Sequence, residues 1–332
     1  MRAAVVGAGL FGCVAAVELA KAGHHVDLYE RHRGILNGAS RASLGRLHRG
    51  YHYPRSLDTA LATLSGSDSF AKRFPAAVSS DTVHHYLIAE GSRTSAEDFL
   101  AFCDLLELPY IVDSTYLAKK VELCVWVPEA VINVDTLRAL LHCDLREHLV
   151  RVRLGEAGRP DMPGYDLTVC ATYGRYWPGK LRTEVTEVAV VQLPAKFAGQ
   201  SLVVLDGPFG CVDPLPGTKL HLLYHVEQSV HAVDEVPDRL RPLLDGGIVD
   251  TRHSRARQMA SALQPYLDLG PLEHYGSLFT LRSVLPDVDD TDERPTLVRR
   301  EGSTVHVLSG KLDTAVTAAR QVVELAGELV AA

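Results

Sequence analysis

The chain has 332 residues, 46% hydrophobic and 23% charged, with a formal net charge of −7 at pH 7. This composition excludes a largely disordered chain, and no apolar run approaches the roughly 20 residues that span a bilayer. Arg and Lys are dispersed, with no basic patch for nucleic acid or an anionic membrane surface, and the length predicts about two domains.

The first elements form a unit. Ala3–Val6 reads as a short buried strand, residues 10–22 as a helix with Val14 and Val17 toward the sheet, and His25–Glu30 as a second strand. Gly23 suits the helix stop, and the whole is a βαβ start within about 30 residues. The opening could pass for a short signal peptide. The glycine spacing and Glu30 favour the strand and helix instead, which points to a cytoplasmic protein. Residues 31–53 hold many glycines and basic side chains with no period, as expected of a functional loop. Residues 55–74 read as a helix, Val83–Glu90 as a strand, and Ser95–Glu107 as a helix capped by Ser95. Val121–Val127 is a strand candidate, a helix runs from Val134 to about His148, and Tyr165–Ala171 is a short apolar strand. The middle is β-rich, at Glu187–Leu193, Ser201–Asp206 and Lys219–Val226, with Gly and Pro between. Ser254–Leu267 is helical, Ser303–Leu308 a strand, and Leu312–Leu329 a closing helix.

None of the six cysteines, at 13, 103, 124, 143, 170 and 211, forms a C-x-x-C pair. Most sit in apolar stretches, so buried reduced thiols are expected. No nucleophile elbow, P-loop or paired-carboxylate motif is present, which leaves hydrolase and kinase readings without support.

Gly7-x-Gly9-x-x-Gly12 follows a strand and opens a helix. Gly7 permits the tight turn, Gly9 lets backbone approach a pyrophosphate at the helix N-terminus, and Gly12 lets helix and strand pack closely. Leu10 and Phe11 open that helix. Glu30 ends the second strand, where a carboxylate accepts from ribose hydroxyls and disfavours a 2′-phosphate. A dinucleotide, FAD or NAD, is the expected ligand.

The start VVGAGLFGCVAAVELAKAGHHVDLYE resembles flavoproteins with the glutathione-reductase type of FAD fold. Within that group the chain is similar to the D-amino-acid oxidase-like superfamily. Asn133–Leu137 resembles the segment leading a helix of the FAD domain. Asp166–Gly174 resembles a late strand ending in Ala-Thr-Gly, with one residue inserted. Leu281–Asp287 and VHVLSGKLDTAVTAA resemble the C-terminal block near the flavin. The family's glycine-rich, often His-containing turn is replaced here by Ser309–Thr314, and the chain is somewhat short for the family.

The resemblance implies an α/β fold: a Rossmann-like FAD-binding domain with a second, β-rich α+β substrate domain. The FAD domain would comprise 1–75, 131–178 and 275–332, and the substrate domain 76–130 and 179–274. Ser40 and Arg41 would suit phosphate contacts, with Arg31 beside them and Arg46, His48 and His52 nearer the ring. Thr172, Gly174, Gly310, Lys311, Leu312 and Asp313 would complete the cofactor contacts. Lys311 at a helix start could stabilise a reduced anionic flavin, or be a solvated first-turn lysine. Asp313 and Thr314 also suit helix caps. Arg282 falls where the oxidases place a carboxylate-binding arginine, a task for a bidentate guanidinium, with a structural ion pair as the rival reading. Tyr224 is a candidate for the same carboxylate or a plain core tyrosine.

His48 and His52 are four apart, but Gly50 and Pro54 argue against the regular helix a metal pair needs, and no metal is expected. His221 and His225 share one face of a strand and read as a packed or solvent-facing pair. The implied activity is oxidation of a C–N bond in an amine or amino acid by hydride transfer to flavin N5. The alternatives are a non-redox flavoenzyme, from a faint similarity of Gly50–Tyr53 to UDP-galactopyranose mutases, and an NAD-binding Rossmann module. A small-molecule substrate is expected, with no nucleic-acid or membrane partner; the oligomeric state is not indicated. The excess of 26 arginines over 8 lysines points to a GC-rich bacterial genome.

Overall fold

A computed structural model describes residues 1–118, 120–247, 249–286, 291 and 293–331; Asp287 lies outside the described residues. The strands begin β1 (Arg2–Val6), β2 (His25–Glu30), β3 (Arg46–Leu47), β4 (Val78–Ser79), β5 (Val83–Ala89), β6 (Ile111–Val112), β7 (Val121–Val127), β8 (Ala130–Ile132) and β9 (Arg151–Leu154). They continue as β10 (Leu167–Cys170), β11 (Arg182–Gln192), β12 (Gln200–Leu205), β13 (Gly210–Pro214), β14 (His221–His225), β15 (Val230–Asp234), β16 (Glu273–Val284), β17 (Leu297–Glu301) and β18 (Thr304–Leu308). The helices are α1 (Leu10–Lys21), α2 (Leu57–Arg73), α3 (Ala96–Leu105), α4 (Val134–Glu147), α5 (Pro237–Asp245), α6 (Ala256–Leu263) and α7 (Ala315–Ala331).

The chain folds into the α/β arrangement expected. One sheet runs β17-β18-β10-β1-β2-β9 and is parallel apart from β17. Its central β1 is buried from Ala3 to Val6, as an apolar run in a sheet covered by helices must be. Leu10–Val17 of α1 are all buried, and α1, α4 and α7 share one apolar core with this sheet. Gly23 ends α1 at φ +87°, a left-handed turn that a side chain would strain. The side chains of Ser56, Ser95 and Asn133 accept amide hydrogens at the starts of α2, α3 and α4.

The second sheet runs β15-β11-β14-β13-β12-β5-β7-β6, with β16 paired to β11 along its length. It is antiparallel except where β12 meets β5. A small sheet, β3-β8-β4, lies beside them. β16 differs from expectation. The resemblance places residues from 275 onward in the cofactor part, whereas β16 pairs with β11 in the larger sheet as far as Val284. α5 has no counterpart in the predicted elements. It carries Pro242 internally, and its Pro237 occupies the first turn, where proline's missing N–H costs nothing. β9, β13, β15 and β17 are further additions.

All six cysteines are free; five are buried, and Cys143 is exposed. His221 and His225 are packed inside: His221 Nε2 meets the Phe197 carbonyl, and His225 Nδ1 accepts from the amides of Glu227 and Gln228. Among the described residues no helix is long and apolar enough to cross a membrane.

Candidate active site

A cavity of about 350 Å³ opens at the carboxyl ends of β1, β2 and β10. This is where an open parallel sheet leaves helix N-termini and loops free for a ligand. Gly7, Gly9, Leu10 and Phe11 form its floor, and Glu30, Arg31, Ser40 and Thr172 its walls. It extends past Tyr173 to Phe279–Leu281 of β16 and to Ser309, where the two sheets meet.

The three glycines do different work. Gly7 has φ +98°, and a Cβ there would stand 2.6 Å from the Ala171 carbonyl oxygen. A Cβ on Gly12 would stand 1.8 Å from the Gly7 carbonyl oxygen, so this glycine is a packing position outside the cavity wall. Gly9 is ordinary in backbone (φ −69°), and its Cβ would meet nothing closer than Ser40 Oγ at 3.7 Å. Gly9 therefore leaves a cradle that a side chain would fill. Ser40 Oγ accepts from the Leu10 amide at 3.1 Å, holding the 31–40 loop against the start of α1. The Glu30 carboxylate accepts from the amides of Ala8 and His32, each at 2.8 Å, and keeps lone pairs for ribose hydroxyls. Open glycine backbone, a helix N-terminus and a strand-end acid fit the diphosphate and ribose of FAD.

Beyond Ser309 lies a second group of polar residues. The His48 and His52 rings lie with centroids 5.1 Å apart and planes tilted by 42°, and Tyr53 packs against both. Lys311 Nζ sits 4.8 Å from the centre of the Tyr53 ring. Burial, then Lys311 and other nearby cations, holds both imidazoles well below the ordinary histidine range, so they are neutral at pH 7. Neither Nδ1 has a hydrogen-bond partner among the described residues. Asp313 is fully buried, with the backbone amides of Thr314 and His48 as nearby donors to its carboxyl. Burial pushes that carboxyl up to about 8 against the pull of Lys311, so it is protonated at neutral pH.

A third group centres on Arg282. Its Nε and Nη2 donate to Glu184 at 2.9 and 2.5 Å, and its Nη1 donates to the Tyr224 hydroxyl at 2.5 Å. Arg182 also reaches Glu184, at 3.1 Å. Burial opposes the charge on Arg282, but Tyr224 and Glu184 more than restore it. Tyr173 on the cavity wall feels Arg282 and Arg294, and Arg294 also acts on His52; His48, His52, Tyr224 and Arg282 themselves do not line the cavity.

Several expected positions differ. Arg46 is buried in an ion pair with Asp213 at 2.6 Å, which also accepts from Ser201, so its guanidinium is committed to the core rather than to a cofactor ring. Arg41 is exposed and off the cavity. Gly174, at φ +89°, packs against Leu181 and Ser283, and Gly310 against the backbone of Arg294 and Pro295. Lys311 and Leu312 also lie off the cavity wall, and Asp313 is core rather than a cap. Sequence reasoning passed over Tyr173, Arg175 and Arg241, which line the cavity, and Glu184, which holds Arg282. Tyr173 has φ +53°, and that strained residue in an Ala-Thr-Tyr-Gly run was the available signal.

Comparison with known proteins bears on this geometry. Residues 2–157 match the family described as FAD dependent oxidoreductase (DAO). An FAD-dependent monooxygenase, FPY4, of Fusarium mangiferae is 26% identical over 97% of this chain and 90% of its own length. It is fungal and lends no support to a bacterial source. Among solved structures, NikD, an amino acid oxidase essential for nikkomycin biosynthesis, aligns with TM-score 0.74 at 15% identity, covering 98% of this chain and 93% of its own. Glycine oxidase from Geobacillus kaustophilus aligns with TM-score 0.70 at 15% identity, covering 99% and 94%. At such identities the structures show a shared fold.

Proposed function

We propose that this chain, an FAD-dependent oxidoreductase whose residues 2–157 carry that family's domain, oxidises a C–N bond of an amine or amino acid. Bound FAD would supply the electron acceptor, taking a hydride at N5 from the amine-bearing carbon and passing the electrons to oxygen, while water converts the imine to carbonyl and amine. Gly9, the start of α1 and Glu30 would hold its diphosphate and ribose.

The observation that carries the reading is the buried, neutral His48–His52 pair beside Lys311. An amine arrives protonated at neutral pH and must lose a proton before its carbon can give up a hydride. A neutral imidazole has the lone pair to accept such a proton. Arg282 presents its guanidinium fork to the Glu184 carboxylate, the geometry by which an arginine matches a substrate carboxylate. The DAO-like likeness with amino acid oxidases of the same fold is in keeping with this chemistry.

The test is an anaerobic titration of the flavin-loaded protein with a panel of amines and amino acids. Bleaching by a member of the panel, with equimolar carbonyl product, is expected, and His52→Gln should slow it. Failure of every amine, with reduction by a reduced nicotinamide instead, would move the assignment to monooxygenation. That second reading is favoured by the name of the fungal relative.

A further inference from the structure

The inner groups above do not use α5, yet α5 forms one wall of the cofactor cavity. Arg241, Leu244 and Asp245 of this helix line it, together with Arg31 and Arg175 from the loops after β2 and β10. Asp238, Arg241 and Asp245 are spaced i, i+3 and i+7, which places them on one helical face. The opposite side of α5 is anchored in the larger sheet, where Leu240 packs with Val185 and Leu281.

Ion pairs join α5 to the smaller sheet. Arg31 Nη1 meets Asp245 at 2.6 Å, and Arg175 Nε meets Asp238 at 3.1 Å. Arg241 Nε meets the same Asp238 at 2.8 Å. Three guanidiniums thus share two carboxylates. Glu30, a third carboxylate on this wall, accepts from the amides of Ala8 and His32. The Arg241 side chain is only 15% exposed, so its charge is poorly hydrated, and Arg31 and Arg175 crowd it further. Three guanidiniums line this wall of the cavity, and a planar guanidinium fork suits phosphate oxygens.

We propose that Arg241 of α5, with Arg31 and Arg175, grips the diphosphate of FAD, so that α5 is a clamp through which the larger sheet retains the cofactor. The proposal rests on FAD as the occupant of this cavity. It assigns the cofactor a charged partner outside the β1-α1-β2 unit.

The experiment titrates flavin-free protein with FAD, followed by quenching of flavin fluorescence, and with ADP and adenosine by calorimetry, at low and high salt. Arg241→Gln is expected to weaken FAD and ADP by about ten- to a hundredfold, flatten the salt dependence and leave adenosine unchanged. Asp238→Asn removes negative charge without removing a guanidinium and is expected to tighten ADP severalfold. Thermal unfolding of each flavin-free variant reports whether it folds. If Arg241→Gln does not fold, Asp238→Asn decides the matter. Wild-type ADP and FAD affinities in Arg241→Gln, or no gain in Asp238→Asn, would overturn the clamp. Failure of the wild type to bind FAD at all would overturn the cofactor assignment instead.

Discussion

Replacing Gly9 and Gly12 with alanine separates folding from cofactor binding. The two positions are three residues apart in one motif, yet their surroundings differ. A methyl at Gly12 would stand 1.8 Å from the Gly7 carbonyl oxygen, a backbone atom that cannot swing away. Gly12→Ala should therefore cost about 3 kcal/mol of stability with no ligand present. A methyl at Gly9 would have its nearest neighbour 3.7 Å away, on a backbone of φ −69° that alanine adopts freely. Gly9→Ala should lose less than about 1 kcal/mol, the difference between glycine and alanine at a helix N-cap. Its methyl points into the space a diphosphate needs. Losing one charge-assisted amide contact costs about 1.5–3 kcal/mol, or about ten- to a hundredfold in affinity. Urea unfolding of the flavin-free variants and fluorescence titration with FAD measure the two effects. Wild-type FAD affinity in a folded Gly9→Ala protein would refute the cradle, and an unperturbed Gly12→Ala would refute the packing argument.

The two buried aspartates should respond in opposite ways. Asp213→Ala strands the buried Arg46 guanidinium and should cost about 3–5 kcal/mol in urea unfolding; a loss under 1 kcal/mol would show that water reaches the pair. Asp313 is protonated at neutral pH with a folded value of about 8, above its unfolded value of about 4, so stability that is full below about pH 4 is lost progressively as pH rises from there to about 8. Asp313→Asn should be nearly neutral at about pH 4 and increasingly more stable than wild type up to about pH 8, judged by unfolding midpoints. His84 is held down to about 3, chiefly by burial and then by Arg46, so the unfolded chain takes up its proton first as pH falls below about 6.5. His84→Leu should make the loss of stability in acid shallower by up to about 1.4 kcal/mol per pH unit, and an unchanged slope would show that His84 is charged in the fold.

Much of the cofactor side was legible because its signals are local. Gly7, Gly9, Gly12 and Glu30 act through backbone geometry and strand ends, and short spacings encode both. Ser95 announced its helix by capping. The inner end was less legible because its partners are remote in sequence. Arg46 meets Asp213 across 167 residues, and Arg282 meets Glu184 across 98. No local pattern tells an arginine that will bind a phosphate from one that will neutralise a core aspartate. α5 was hidden by Pro242, which reads as a helix breaker, and β16 by Gly276 within an otherwise alternating strand. His48 and His52 stood out by sequence, but their neutrality depends on burial and on Lys311, which only the folded chain brings near.

The most direct test of the account is the visible absorption spectrum of the purified protein, before and after acid precipitation, followed by anaerobic addition of amines. We expect paired flavin bands that pass to the supernatant as FAD and bleach in the intact protein when a substrate amine is added. A colourless protein that takes up no added FAD would contradict the account at its root. A flavin that no amine reduces would contradict the proposed C–N oxidation while leaving the cofactor site intact.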